Sequence, residues 1–77
     1  MKAYVLVNIR TGSVKEVIKH LRRISSVLEA NMTFGPYDAV AVIETQDING
    51  VGAILANEIQ PIPGVLETLT CLAVDVG

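Results

Sequence analysis

Hydrophobic residues alternate at the start of the chain: Ala3, Val5, Val7 and Ile9 share one side, and Tyr4, Leu6 and Asn8 the other. That period of two predicts a β-strand, and since both sides are largely apolar, each needs cover. Arg10-Thr11-Gly12 reads as a turn. Ser13 and Glu16 have the spacing of a capping box, in which hydroxyl and carboxylate each satisfy an orphan backbone N–H, so a helix is predicted to begin there. Val14, Val17, Ile18, Leu21 and Ile24 then fall on one helical stripe, leaving Lys15, Lys19, Arg22 and Arg23 toward water.

A second strand is predicted over Val27 to Phe34, with Leu28, Ala30, Met32 and Phe34 opposite Val27, Glu29, Asn31 and Thr33. Gly35-Pro36-Tyr37-Asp38 closes a hairpin, because glycine and proline punctuate strands and aspartate caps turns locally. Ala39 to Thr45 is apolar on both sides, the pattern of a central strand. The next segment, from about Asp47 or Asn49 to Gln60, places Val51, Ile54, Leu55 and Ile59 on one helical face. Gly50 and Gly52 each cost about 1 kcal/mol against Ala inside a helix, so they mark a loose first turn or a close backbone approach. Pro61 and Pro63 stop the helix, Gly64 turns the chain, and Val65 to Val76 forms the last strand.

The resulting order is β-α-β-β-α-β. Right-handed crossovers fold it into a four-stranded antiparallel sheet with both helices on one face, an α+β ferredoxin-like arrangement. The second face, carrying residues such as Leu6, Val40 or Val42 according to register, is left uncovered. A second copy packed sheet to sheet is the simplest cover, so a homodimer is expected.

Length sharpens this expectation. At 77 residues the chain holds one domain, and so small a core is marginal without association. Hydrophobic residues make up 51%, yet no run approaches the roughly 18 residues of a membrane span. No signal-peptide pattern is present and the single Cys71 cannot form an internal disulfide, which together point to a cytoplasmic protein. The net charge of −2 argues against nucleic-acid binding, but its layout is uneven. All basic residues lie at or before Arg23, and every acidic residue except Glu16 lies after it. That asymmetry suits contact with another copy as well as it suits a solvated basic helix.

Gly12, the run from Val27 to Asp38 with Gly35-x-Tyr37-Asp38 at its turn, and the run from Ile62 to Thr70 opening with Pro63-Gly64-Val65 resemble the effector-binding domain of the Lrp/AsnC family of transcriptional regulators. The resemblance spans essentially the whole chain and, with no room for the family's usual helix-turn-helix domain, the chain looks like a stand-alone version. It implies a dimer closing two sheets into an α/β barrel, further assembly of dimers, and an amino acid or related small ligand held between dimers. One departure stands out: the family commonly has threonine just before the turn glycine, and here Phe34 takes that place.

Candidate ligand contacts follow from these positions. Tyr37 and Asp38 place a hydroxyl beside a carboxylate, able to hold an ammonium or hydroxyl group, although Asp38 equally suits turn capping and Tyr37 interface packing. Gly35 lets a backbone N–H approach a ligand carboxylate. Thr68 and Thr70, two apart on the last strand, point to one face and match family positions that line the effector cleft. Asp47 is a further candidate, with an N-cap for the second helix as its ordinary role. His20 flanks the apolar stripe as a surface histidine, and Cys71 is expected to be a buried, inert thiol. No metal constellation, cofactor motif, nucleophile–base pair or phosphate loop is present, so neither a cofactor nor catalysis is expected. Small monooxygenases and isomerases share the dimeric α/β barrel, and a purely structural oligomerisation module is a third reading. The leading expectation is a small-molecule sensor, with a full-length regulator of the same kind as a candidate partner and no DNA binding of its own.

Overall fold

The computed structural model describes residues 1–77. Strands β1 (Lys2–Ile9), β2 (Val27–Met32), β3 (Ala39–Glu44) and β4 (Val65–Leu72) form one antiparallel sheet in the order β2-β3-β1-β4. Helices α1 (Val14–Arg23) and α2 (Ile48–Ile54) complete the β-α-β-β-α-β order. The alternation along β1 decides the core: Ala3, Val5 and Val7 are fully buried with Ala41 and Ile43 of β3 and with Val17 and Leu21 of α1.

Register also fixes the uncovered face. Leu6 lies opposite Val40 and Leu69, and Tyr4 opposite Val42 and Cys71, so Leu6, Val40 and Val42 share the side that no helix covers. An apolar strip therefore crosses the three strands β3, β1 and β4, with Leu69 49% exposed.

Four local expectations are corrected. Helix α1 begins where predicted, but Ser13 makes no side-chain cap bond, so the capping box does not form. With φ −105° and ψ −1°, Ser13 already sits in helical backbone space rather than the extended conformation a cap needs. Strand β2 ends at Met32, and a bulge between Val27 and Glu29 places both Val27 and Ala30 on the helix side while Leu28 stays exposed. The second helix widens into a π turn over Leu55–Ile59, where Gln60 N–H donates to Leu55 O at 2.8 Å. The wider turn rotates less per residue, keeping Ile59 on the buried stripe. Strand β4 ends at Leu72, since Ala73 N–H bonded to Lys2 O is the last rung that β1 can offer.

The two helix glycines differ. A Cβ on Gly50 would lie 2.9 Å from Thr45 Cβ, so this glycine permits close approach, whereas Gly52 faces open space.

Candidate functional site

The β2–β3 turn is built by its own polar groups. Thr33 Oγ1 donates to Tyr37 O at 2.8 Å, and Thr33 N–H donates to Asp38 O at 3.0 Å. Gly35 has φ +150° and no atom within 4 Å of an added Cβ, which leaves its backbone open to an approaching group. Asp38 ties the turn to the sheet: its N–H donates to Val7 O at 2.9 Å, and its Oδ2 accepts from Ile9 N–H at 2.7 Å. One carboxylate oxygen thus has a structural partner, and Oδ1 remains. Tyr37 is half-buried, while Phe34 is 98% exposed at the turn's tip. With Leu6 and Val40, residues 33–37 line a shallow, largely apolar cleft of about 340 Å³ that runs onto the uncovered face, while Asp38 lies beside it.

Thr68 and Thr70 stand elsewhere. They lie opposite Val7 and Val5, so both point to the helix side of edge strand β4, sharing one face as their spacing predicts. Gln60 Nε2 donates to Thr68 Oγ1 at 3.3 Å, and these two residues with Val65, Leu66 and Glu67 border a cleft of about 300 Å³. Gln60 is a functional candidate that sequence reasoning missed. In the sequence it marks only a helix end, and the π turn that brings it to β4 leaves no pattern in the apolar spacing.

Within one chain the turn and the two threonines do not share a cleft, because they occupy opposite faces of the sheet and β4 is at the edge remote from β2. Asp47 is at the other end of the sheet from the turn and caps α2, its Oδ1 accepting from Gly50 N–H at 2.9 Å. Gly35, Tyr37 and Asp38 therefore form one group, Thr68 and Thr70 a second, and Asp47 stands alone. A ligand touching the first two groups together would have to lie between copies.

His20 is exposed, as predicted, in a cleft of about 220 Å³ between α1 and the π turn that Glu58 also lines. Cys71 is exposed rather than buried, since β4 is an edge strand and Cys71 faces the uncovered side opposite Tyr4. No helix is long and apolar enough to cross a membrane.

Comparison with known proteins places this geometry. The chain is 32% identical over 72 residues to the HTH-type transcriptional regulator FL11 of Pyrococcus abyssi, covering 94% of this chain and 47% of that protein. It is 33% identical over 57 residues to the HTH-type transcriptional regulator Ptr1 of Methanocaldococcus jannaschii, covering 74% of this chain and 38% of that one. The chain thus spans less than half the length of these curated relatives. Among solved structures, TTHA0845 from Thermus thermophilus superimposes with a TM-score of 0.93 at 28% identity, covering 99% of this chain and 95% of that one. A weaker likeness, TM-score 0.65 at 14% identity over 96% of this chain and 94% of that one, links it to the Burkholderia phenoliruptrix dehydrochlorinase TftG, so the fold alone does not separate regulators from enzymes. The model of the Lrp/AsnC ligand binding domain matches residues 2–76, from the first strand through the residues that follow β4, and the chain belongs to that family.

Proposed function

We propose that this chain is a self-associating effector-binding module of transcriptional regulation, in which copies pack their uncovered sheet faces together and hold an amino acid between subunits. The observation that carries this reading is the family match over residues 2–76, joined to an apolar strip that one copy leaves bare. Apolar surface on the uncovered side of a small domain is the usual mark of an interaction face.

The chemistry of the two residue groups suits an amino acid. The open backbone at Gly35 admits a carboxylate, and Asp38 offers Oδ1 to an ammonium group. The Tyr37, Thr68 and Thr70 hydroxyls supply neutral hydrogen bonds from the neighbouring subunit or the same one. Asp47 has its carboxylate engaged in the cap of α2 and serves the fold first. A full-length regulator of the same family is the natural partner, since it carries a matching sheet face, and this module itself needs no contact with DNA.

A thermal-shift panel of the proteinogenic amino acids tests the reading. At least one is expected to raise the melting temperature, and Tyr37→Phe and Thr70→Val to lower that ligand's affinity with the fold intact. No response to any amino acid would reject the ligand. An unchanged affinity in both variants would place the site elsewhere.

A further inference from the structure

On the helix side of the sheet, α1 and the π turn stand apart and leave two joined clefts of about 220 and 430 Å³, which share His20, Ile24 and Glu58. The floor is apolar, since Ile24 and Ile62 are buried there as part of the core. The rim is polar and comes from both elements. His20 and Arg23 lie one turn apart on α1, so they project from the same side of it as Ile24. Asn57 and Glu58 lie within the π turn Leu55–Ile59. Single π turns inside helices occur frequently at functional sites, and the effector clefts use none of these groups.

The charges of this rim are unlike and unpaired. The ion pairs of the chain are Met1 with Glu44 and Lys19 with Glu16, so Glu58 faces the cleft without meeting Arg23 or His20. Arg23 spends only its Nε, on Lys19 O at 3.4 Å within the same helix, and the rest of its fork stays free. A guanidinium on one wall and a carboxylate on the other, too far apart to pair across an apolar floor, are complementary to a molecule that carries both charges itself.

We propose that this cleft is a second ligand site, for a small zwitterion with a carboxylate and an ammonium group on an apolar body. The carboxylate lies against the Arg23 guanidinium, whose planar fork suits two-point contact with it. The ammonium group lies against Glu58. Asn57 and His20 supply neutral hydrogen bonds, and the apolar part rests on Ile24 and Ile62. A simple carboxylate leaves Glu58 opposed to it, and a simple amine leaves Arg23 opposed, so both charges of the ligand are needed. The site is complete within one chain. It goes beyond the effector reading, needs no pairing of sheet faces, and shares no residue with the clefts at the β2–β3 turn or at Gln60 and Thr68.

His20 is the single histidine of the chain, so its imidazole C2–H proton resonance reports this cleft directly. The whole chain is titrated at fixed pH with valine and with phenylalanine, a small and a large apolar amino acid, and then with the N-acetyl and amide forms of each, which lack one charge. At least one amino acid is expected to move the His20 resonance along a saturating curve in the millimolar range. Its N-acetyl and amide forms are expected to need concentrations about 10-fold higher, the lower end of a charge-assisted bond at an exposed site. Arg23→Gln and Glu58→Gln are each expected to weaken binding by about the same factor, with far-UV dichroism reporting the fold. Tyr37→Phe with Thr70→Val is expected to leave the curve unchanged. No movement with either amino acid, an equal response to the singly charged forms, or unchanged curves in folded Arg23→Gln and Glu58→Gln would each overturn the proposal and leave the effector reading standing. A response abolished by Tyr37→Phe with Thr70→Val would assign it to the effector clefts and overturn the second site as well.

Discussion

Asp38 has one task in the fold and a second proposed at the ligand, and two substitutions divide them. Its Oδ2 accepts from Ile9 N–H at 2.7 Å, a part-buried bond that fastens the β2–β3 turn to the end of β1. Asp38→Ala leaves that N–H without its acceptor, at a cost of about 1–3 kcal/mol. For a domain of this size each kcal/mol moves the melting temperature by about 4–8 °C, so the expected fall is roughly 5–20 °C. Asp38→Asn keeps an amide oxygen for Ile9 N–H and gives up only the charge. The loss should then be about 0.5–1.5 kcal/mol, the difference between a charge-assisted and a neutral bond. Ligand affinity isolates the second task. If the carboxylate meets an ammonium group, Asp38→Asn weakens binding by roughly 10- to 150-fold in a protein that remains folded. Melting curves by dichroism and calorimetric titration with the amino acid found in the panel measure the two effects. Equal melting temperatures for Asp38→Ala and wild type would refute the structural bond. A folded Asp38→Asn that binds with undiminished affinity would refute the ammonium contact.

The glycines give further tests. Gly52→Ala, with no atom within 4 Å of the added Cβ, should stabilise the protein by about 0.5–1 kcal/mol through helix propensity, whereas Gly50→Ala, with Thr45 Cβ at 2.9 Å, should destabilise it by about 0.5–2 kcal/mol in urea melts. Gly64→Ala combines a φ of +100° with a Cβ placed 2.7 Å from Ser13 Cβ, so a loss of about 2–4 kcal/mol is expected, and Ser13→Gly in the same chain should recover part of it. Leu6→Asp places a carboxylate in the middle of the uncovered strip, and it should give a folded monomer by sedimentation and dichroism.

Much of the fold was legible because the period of two in β1 and the helical stripe of α1 each have a single consistent reading. The residues they bury, Val5, Val7, Val17 and Leu21, are those that the patterns select. What escaped depends on backbone geometry that side-chain identity does not encode. The bulge at Leu28 moves Val27 to the same side as Ala30, and the π turn adds a residue to a helix whose apolar spacing tolerates either pitch. The Ser13 box does not form because the chain enters α1 already in helical conformation, and Cys71 is exposed because an apolar edge strand reads like a central one when its neighbours are unknown. The candidate site was legible as residue types at family positions, Gly35-x-Tyr37-Asp38 and the two threonines. That these lie on opposite faces follows from register, which only pairing reveals.

Whether copies pair through the uncovered sheet face is read from the mass of the purified chain at micromolar concentration by sedimentation equilibrium. A dimer or a multiple of it is expected, with a distribution that shifts when the amino acid that raises the melting temperature is added. A monomer whose mass is the same with and without every amino acid would rule out both the pairing and its link to the ligand.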